Sequence, residues 1–65
     1  MIVLVNGDPT ELAGSLADLI TARHGERAAG IAVALNGAIV PRSLWDSCRP
    51  TAGDQVEIVT AVQGG

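Results

Sequence analysis

Residues 55–62 read QVEIVTAV. Val, Ile and Thr are residues whose branched side chains fit a pleated strand. The run is bounded on its left by RPTAGD (residues 49–54), a cluster of turn formers, and on its right by a single Gln and two glycines. This segment is therefore a strand, and its Val and Ile content suits a central position covered on at least one face. The segment that matches it in character is the first one, MIVLV (residues 1–5), which runs into the turn formers NGDP. Two strands at opposite ends of a chain, both fit for the middle of a sheet, imply that sequence-distant strands pair there.

Outward from these two strands, the remaining elements follow. Asn6-Gly7 and Asn36-Gly37 are hairpin signals. PTEL (residues 9–12) returns from the first turn, and Pro9 limits that strand to an edge or to its own first residue. IAVALNGAIVPR (residues 31–42) is a second hairpin that Pro41 brings to an end. Between the hairpins lies GSLADLITARHG (residues 14–25). Ser15 is placed to cap a helix, with Asp18 three residues on as a near match to a capping box. Leu16, Leu19 and Ile20 form one apolar stripe, and Gly25 stands where a C-terminal glycine cap belongs. RSLWDSC (residues 42–48) is a helical turn or a loop.

The order strand, strand, helix, strand, strand, connector, strand gives an α+β fold. One helix packs on a four- to five-stranded mixed sheet, the ubiquitin-like β-grasp arrangement. Alternation along the strands places Val3, Val5, Ile31, Val33, Leu35, Val56 and Ile58 toward the helix, and Ile2, Leu4, Ala32, Ala34, Val59 and Ala61 on the other face. An apolar outer face of that kind is a candidate docking surface for a partner. The domain spans residues 1–61, and residues 62–65 form a flexible tail.

Composition narrows the function. Sixty-five residues allow one domain, with 48% hydrophobic residues and a single aromatic, Trp45, which belongs at the edge of the core. The formal net charge is −3 and the four basic residues are all Arg, the wrong balance for a nucleic-acid binder. No apolar run approaches the ~20 residues of a membrane span, so no membrane partner is expected. The lone Cys48 fits a reducing, cytoplasmic compartment. No cluster of metal-ligand residues and no nucleophile with a partnered base appears in the sequence. No metal site, no bound cofactor and no catalytic residue is expected, and the chain is not an enzyme. Gly64 and Gly65 remain the notable feature, because a tail without side chains is thin enough to thread into a partner.

The segments GIAVALNGAIVPRSLW (residues 30–45) and GDQVEIVTAVQGG (residues 53–65) resemble the ThiS family, the sulfur carrier proteins of thiamine biosynthesis. Length and the VNG turn near the start agree with this. The wider group includes MoaD, the molybdopterin sulfur carrier, and ubiquitin. The resemblance implies that an E1-like adenylyltransferase (ThiF-like) activates the carboxylate of Gly65 with ATP and magnesium, which belong to that enzyme. A sulfur donor protein then yields a thiocarboxylate, and the thioacid delivers sulfur to thiazole synthase (ThiG-like). Val62, Gln63 and Gly64 would line the partner's channel, and Leu4, Ala34, Val59, Ala61 and Arg42 would form the docking face. Three alternatives stay open: a carrier for molybdopterin or another pathway, a ubiquitin-like modifier joined to target lysines, and an interaction module with an inert tail.

Overall fold

The computed structural model describes residues 1–25 and 30–60. Among the described residues, five strands and one α-helix run in the order β1 (Ile2–Val5), β2 (Asp8–Glu11), α1 (Leu16–His24), β3 (Ile31–Leu35), β4 (Ala38–Ile39) and β5 (Gln55–Thr60). A single 3₁₀ turn, Arg42–Leu44, lies in the connector between β4 and β5. The sheet order is β2-β1-β5-β3-β4. β1 and β5 are parallel, and the other neighbours are antiparallel, so the sheet is mixed. The Val- and Ile-rich end segments thus lie side by side, with β5 in the centre. Pro9 falls in β2, an edge strand, where its missing N–H costs no ladder bond.

Both hairpins turn on Asn-Gly. Asn6 and Asn36 have φ of 50°, followed by Gly7 at 87° and Gly37 at 86°. Positive φ at both central residues is the type I′ turn, whose twist matches that of the flanking strands. Asn tolerates this region better than most side chains, and Gly enters it freely.

The helix is held by local chemistry at both ends. The Asp18 N–H donates to Ser15 Oγ (3.3 Å), and the Ser15 N–H donates to Asp18 Oδ2 (3.0 Å), a complete capping box. Gly14 sits against this carboxylate so closely that a Cβ there would fall 2.2 Å from Asp18 Oδ2. The remaining free N–H groups of the first turn also find acceptors. Leu16 donates to the Cys48 carbonyl (2.9 Å) and Ala17 to the Trp45 carbonyl (3.2 Å), and Leu19 opens the intrahelical ladder on the Ser15 carbonyl (3.1 Å). The connector is therefore fastened to the start of α1. At the far end, the Gly25 N–H closes on the Thr21 carbonyl.

Leu16, Leu19 and Ile20 of α1 pack on Val3, Val5, Val33, Val56 and Ile58 of the sheet, with Leu12 and Trp45 closing the sides. Ile31 and Leu35 are half-buried against this cluster. The inward set expected from alternation is the one found. Trp45 is 4% exposed, and its Nε1–H donates to the Val40 carbonyl at 3.0 Å, so the polar end of its ring is satisfied.

Candidate functional site

The sheet face away from α1 has a different character. Ile2, Ala32 and Val59 are exposed there, while Leu4 is half-buried. Ala34 is buried on this face outside the cluster under α1: its small side chain lies between Ile39 of β4 and Glu57 of β5, its cross-strand partners. Ala32, Ala34, Gly37, Ile39, Glu57 and Val59 line a shallow open groove of about 240 Å³. Val59 is 62% exposed and Ile39 72%. Two large apolar side chains standing in water over a floor of alanines make a surface suited to an apolar side chain from outside.

The structure sorts the sequence-derived docking residues into three groups. Ala34 and Val59 meet in this groove. Leu4 shares the face but stands on β1, opposite Pro9 and Gln55, outside the groove lining. Arg42 is elsewhere. Its guanidinium lies 6.0 Å from the centre of the Trp45 ring, beside a groove formed with Ala17, Ile20, Thr21 and Asp46 on the helix side of the sheet. The carbonyl bonds that fasten the connector to α1 carry Arg42 to that side, away from the groove of Ala34 and Val59. Ala61, Val62, Gln63, Gly64 and Gly65, with the domain boundary at residue 61, lie outside the described residues.

Ile39 was missed, although its position follows from the sequence. A two-residue turn at Asn36-Gly37 forces Leu35 opposite Ala38 and Ala34 opposite Ile39. Because Ala34 faces out, Ile39 must face out beside it. Among the described residues, Glu57 is the one charge in the groove lining.

At the entry to β5, Asp54 accepts from the Thr51 N–H (2.8 Å) and from Asn36 Nδ2 (3.2 Å). These donors, the backbone one first, hold its carboxyl below the usual value of 3.8. Among the described residues, no three His, Cys, Asp or Glu side chains cluster to hold a metal. No helix among them is long and apolar enough to cross a membrane.

A family model described as the ThiS family matches residues 3–65, nearly the whole chain and both terminal glycines. The chain belongs to the ThiS family. Two solved structures from Geobacter metallireducens share its fold. A crystal structure of the thiamine biosynthesis protein ThiS is 29% identical, with a TM-score of 0.81 and full coverage of both chains. A solution structure of a thiamine biosynthesis protein is 30% identical, with a TM-score of 0.76, covering all of this chain and 88% of the other. No curated protein matches the chain significantly. The β-grasp fold expected from the strand order is the fold of these ThiS structures.

Proposed function

We propose that this protein is a sulfur carrier for thiazole formation in thiamine biosynthesis. The observation that carries the proposal is the family match, which runs through Gly64 and Gly65. The carboxylate of Gly65 is a poor electrophile as it stands. An E1-like adenylating partner joins it to AMP from ATP, with magnesium on the phosphates and pyrophosphate leaving. A sulfur donor protein then supplies sulfur in place of AMP, giving a C-terminal thiocarboxylate. Thiazole synthase takes sulfur from that thioacid, and the carrier returns as the carboxylate. The chain supplies a reactive end and a docking surface; the catalytic groups belong to its cytoplasmic partners.

The physical demands of this role support the assignment of the tail. Ordering a flexible segment costs about 1–2 kcal/mol per residue fixed. Threading residues 62–65 into a partner must therefore be offset by contacts of the folded domain. The groove of Ala34, Ile39 and Val59 offers exposed apolar surface for that purpose. Glycine at 64 and 65 keeps the thread free of Cβ atoms.

The intact mass of the chain tests the proposal, after incubation with host extract, ATP and a cysteine-derived sulfur source. The expected product carries one sulfur in place of one oxygen, located on the C-terminal peptide. Deleting Gly65 should abolish the gain and leave the far-UV spectrum and melting unchanged. Loading that survives the deletion sinks the assignment of Gly65. Adducts to other proteins, in place of the mass gain, would make the chain a modifier.

A further inference from the structure

β1 and β5 are paired over a short length: Leu4 opposite Gln55 and Val5 opposite Val56. Leu4 N–H donates to the Asp54 carbonyl (2.9 Å) and Asn6 N–H to the Val56 carbonyl (2.8 Å). The next bond in this ladder would need a further backbone amide of β1, but the chain has already turned off at Asn6-Gly7 into β2. The side chain of Asn6 takes that place. Its Oδ1 accepts from the Ile58 N–H at 2.9 Å, and its Nδ2 donates to the Ile58 carbonyl at 3.2 Å. A primary carboxamide has the donor and acceptor of a peptide group, so the bridge extends the ladder by one full peptide unit.

Asn36, in the matching turn, makes a different contact. Its Oδ1 accepts from the Gln55 N–H at 2.9 Å, at the start of β5. The two turns therefore grip the central strand at two points, Asn36 at Gln55 and Asn6 at Ile58. Asn6 grips it at Ile58, two residues before Thr60, the last residue paired with β3, and Ile58 stands seven residues before Gly65.

We infer that Asn6 is a positioning residue for adenylation: its carboxamide holds the C-terminal half of β5, beyond the backbone pairing with β1, in the sheet, and with it the strand from which the reacting terminus continues. This inference rests on the carrier role proposed above. Asn6 touches no reacting atom; it acts through Ile58. Presentation of this kind bears on the turnover of the bound complex, because small misplacement of a reacting group lowers the rate after binding. It does not bear on docking through Ala34, Ile39 and Val59.

Asn6→Gly removes the carboxamide while suiting the positive φ of the turn, and Asn36→Gly is the matched control. Two measurements on the full chain test the inference: amide hydrogen exchange, and adenylation by the purified E1-like partner, followed by ATP–pyrophosphate exchange. Asn6→Gly is expected to speed exchange of the Ile58 amide by about tenfold, as loss of a single hydrogen bond does. Glu57, which faces β3 in register with Ala34, should keep its rate. The kcat of adenylation should fall about tenfold with KM within about twofold, and Asn36→Gly should leave kcat unchanged. An unaltered Ile58 amide, an unaltered kcat, or an equal fall in kcat for Asn36→Gly would each overturn the inference. A wild-type chain that is not adenylated at all would overturn the carrier role itself, and the positioning role with it.

Discussion

Ile58 and Val59 are neighbours in one strand and belong to two different surfaces. Ile58 is 8% exposed and packs in the core; Val59 is 62% exposed on the opposite face. Both are β-branched, and both suit the strand equally. The helix makes the difference, because it covers one face of the sheet and leaves the other open. The covered face is Val, Leu and Ile, closed by Trp45. The open groove is lined with Ala and Gly, with Ile39 and Val59 standing above them and Glu57 as its charge. Apolar character alone therefore does not distinguish a core residue from a docking residue in a protein this small. The presence or absence of a covering layer does.

Two substitutions probe this difference, and a third lies outside both surfaces. The largest effect on stability is expected on the covered face. Ile58→Ala leaves a cavity beneath α1 and should cost about 2–5 kcal/mol, read from chemical denaturation. For a 65-residue domain, that is a large share of the whole stability. A cost below about 1 kcal/mol would mean that the two faces are not as different as burial indicates. Val59→Asp comes next. It should change stability by no more than about 0.5 kcal/mol, and weaken binding to the adenylating partner by about tenfold or more, measured by calorimetry. Loss of folding in this variant would place Val59 in the core.

The smallest effect is expected at the end of the sheet, at Asp54, which faces solvent and serves neither surface. Its carboxyl titrates below its ordinary value because the Thr51 N–H and the Asn36 amide stabilise the anion. A depressed carboxyl stabilises the fold above its ordinary value, and that contribution fades as pH falls through the ordinary range and below. Melting followed below about pH 4 should drop slightly less steeply for Asp54→Asn than for the wild type.

Much of this architecture is legible in the sequence, because it is set by short-range chemistry. Ser15, Asp18 and Gly25 act within one helical turn of their own positions. The hairpins need only Asn-Gly, and strict alternation assigns Val3, Val5, Val33, Val56 and Ile58 to the core. Arg42 was not legible. Residues 40–54 have no period to follow, and their path is set by the burial of Trp45 and by the carbonyls of Trp45 and Cys48 at the start of α1. The bridge from Asn6 to Ile58 spans 52 residues and exists only once the sheet has closed. A turn residue shows its backbone preference in the sequence, but not the side-chain bonds it makes across the fold.

The central place of β5 also bears on how the chain is made. β5 is synthesised after the other four described strands, yet it separates β1 from β3 and pairs with both. The two hairpins and the helix can form locally as they emerge, but they have no sheet to join until residues 55–60 arrive. Closure pairs Leu4 with Gln55 and Val5 with Val56, contacts whose chain entropy must be lost before they stabilise anything. Folding of this sheet thus waits for residues 55–60. A chain broken off before β5 lacks the centre of its sheet and stays open to proteolysis, so the copies that survive in folded form are those that reach the strand leading to the tail.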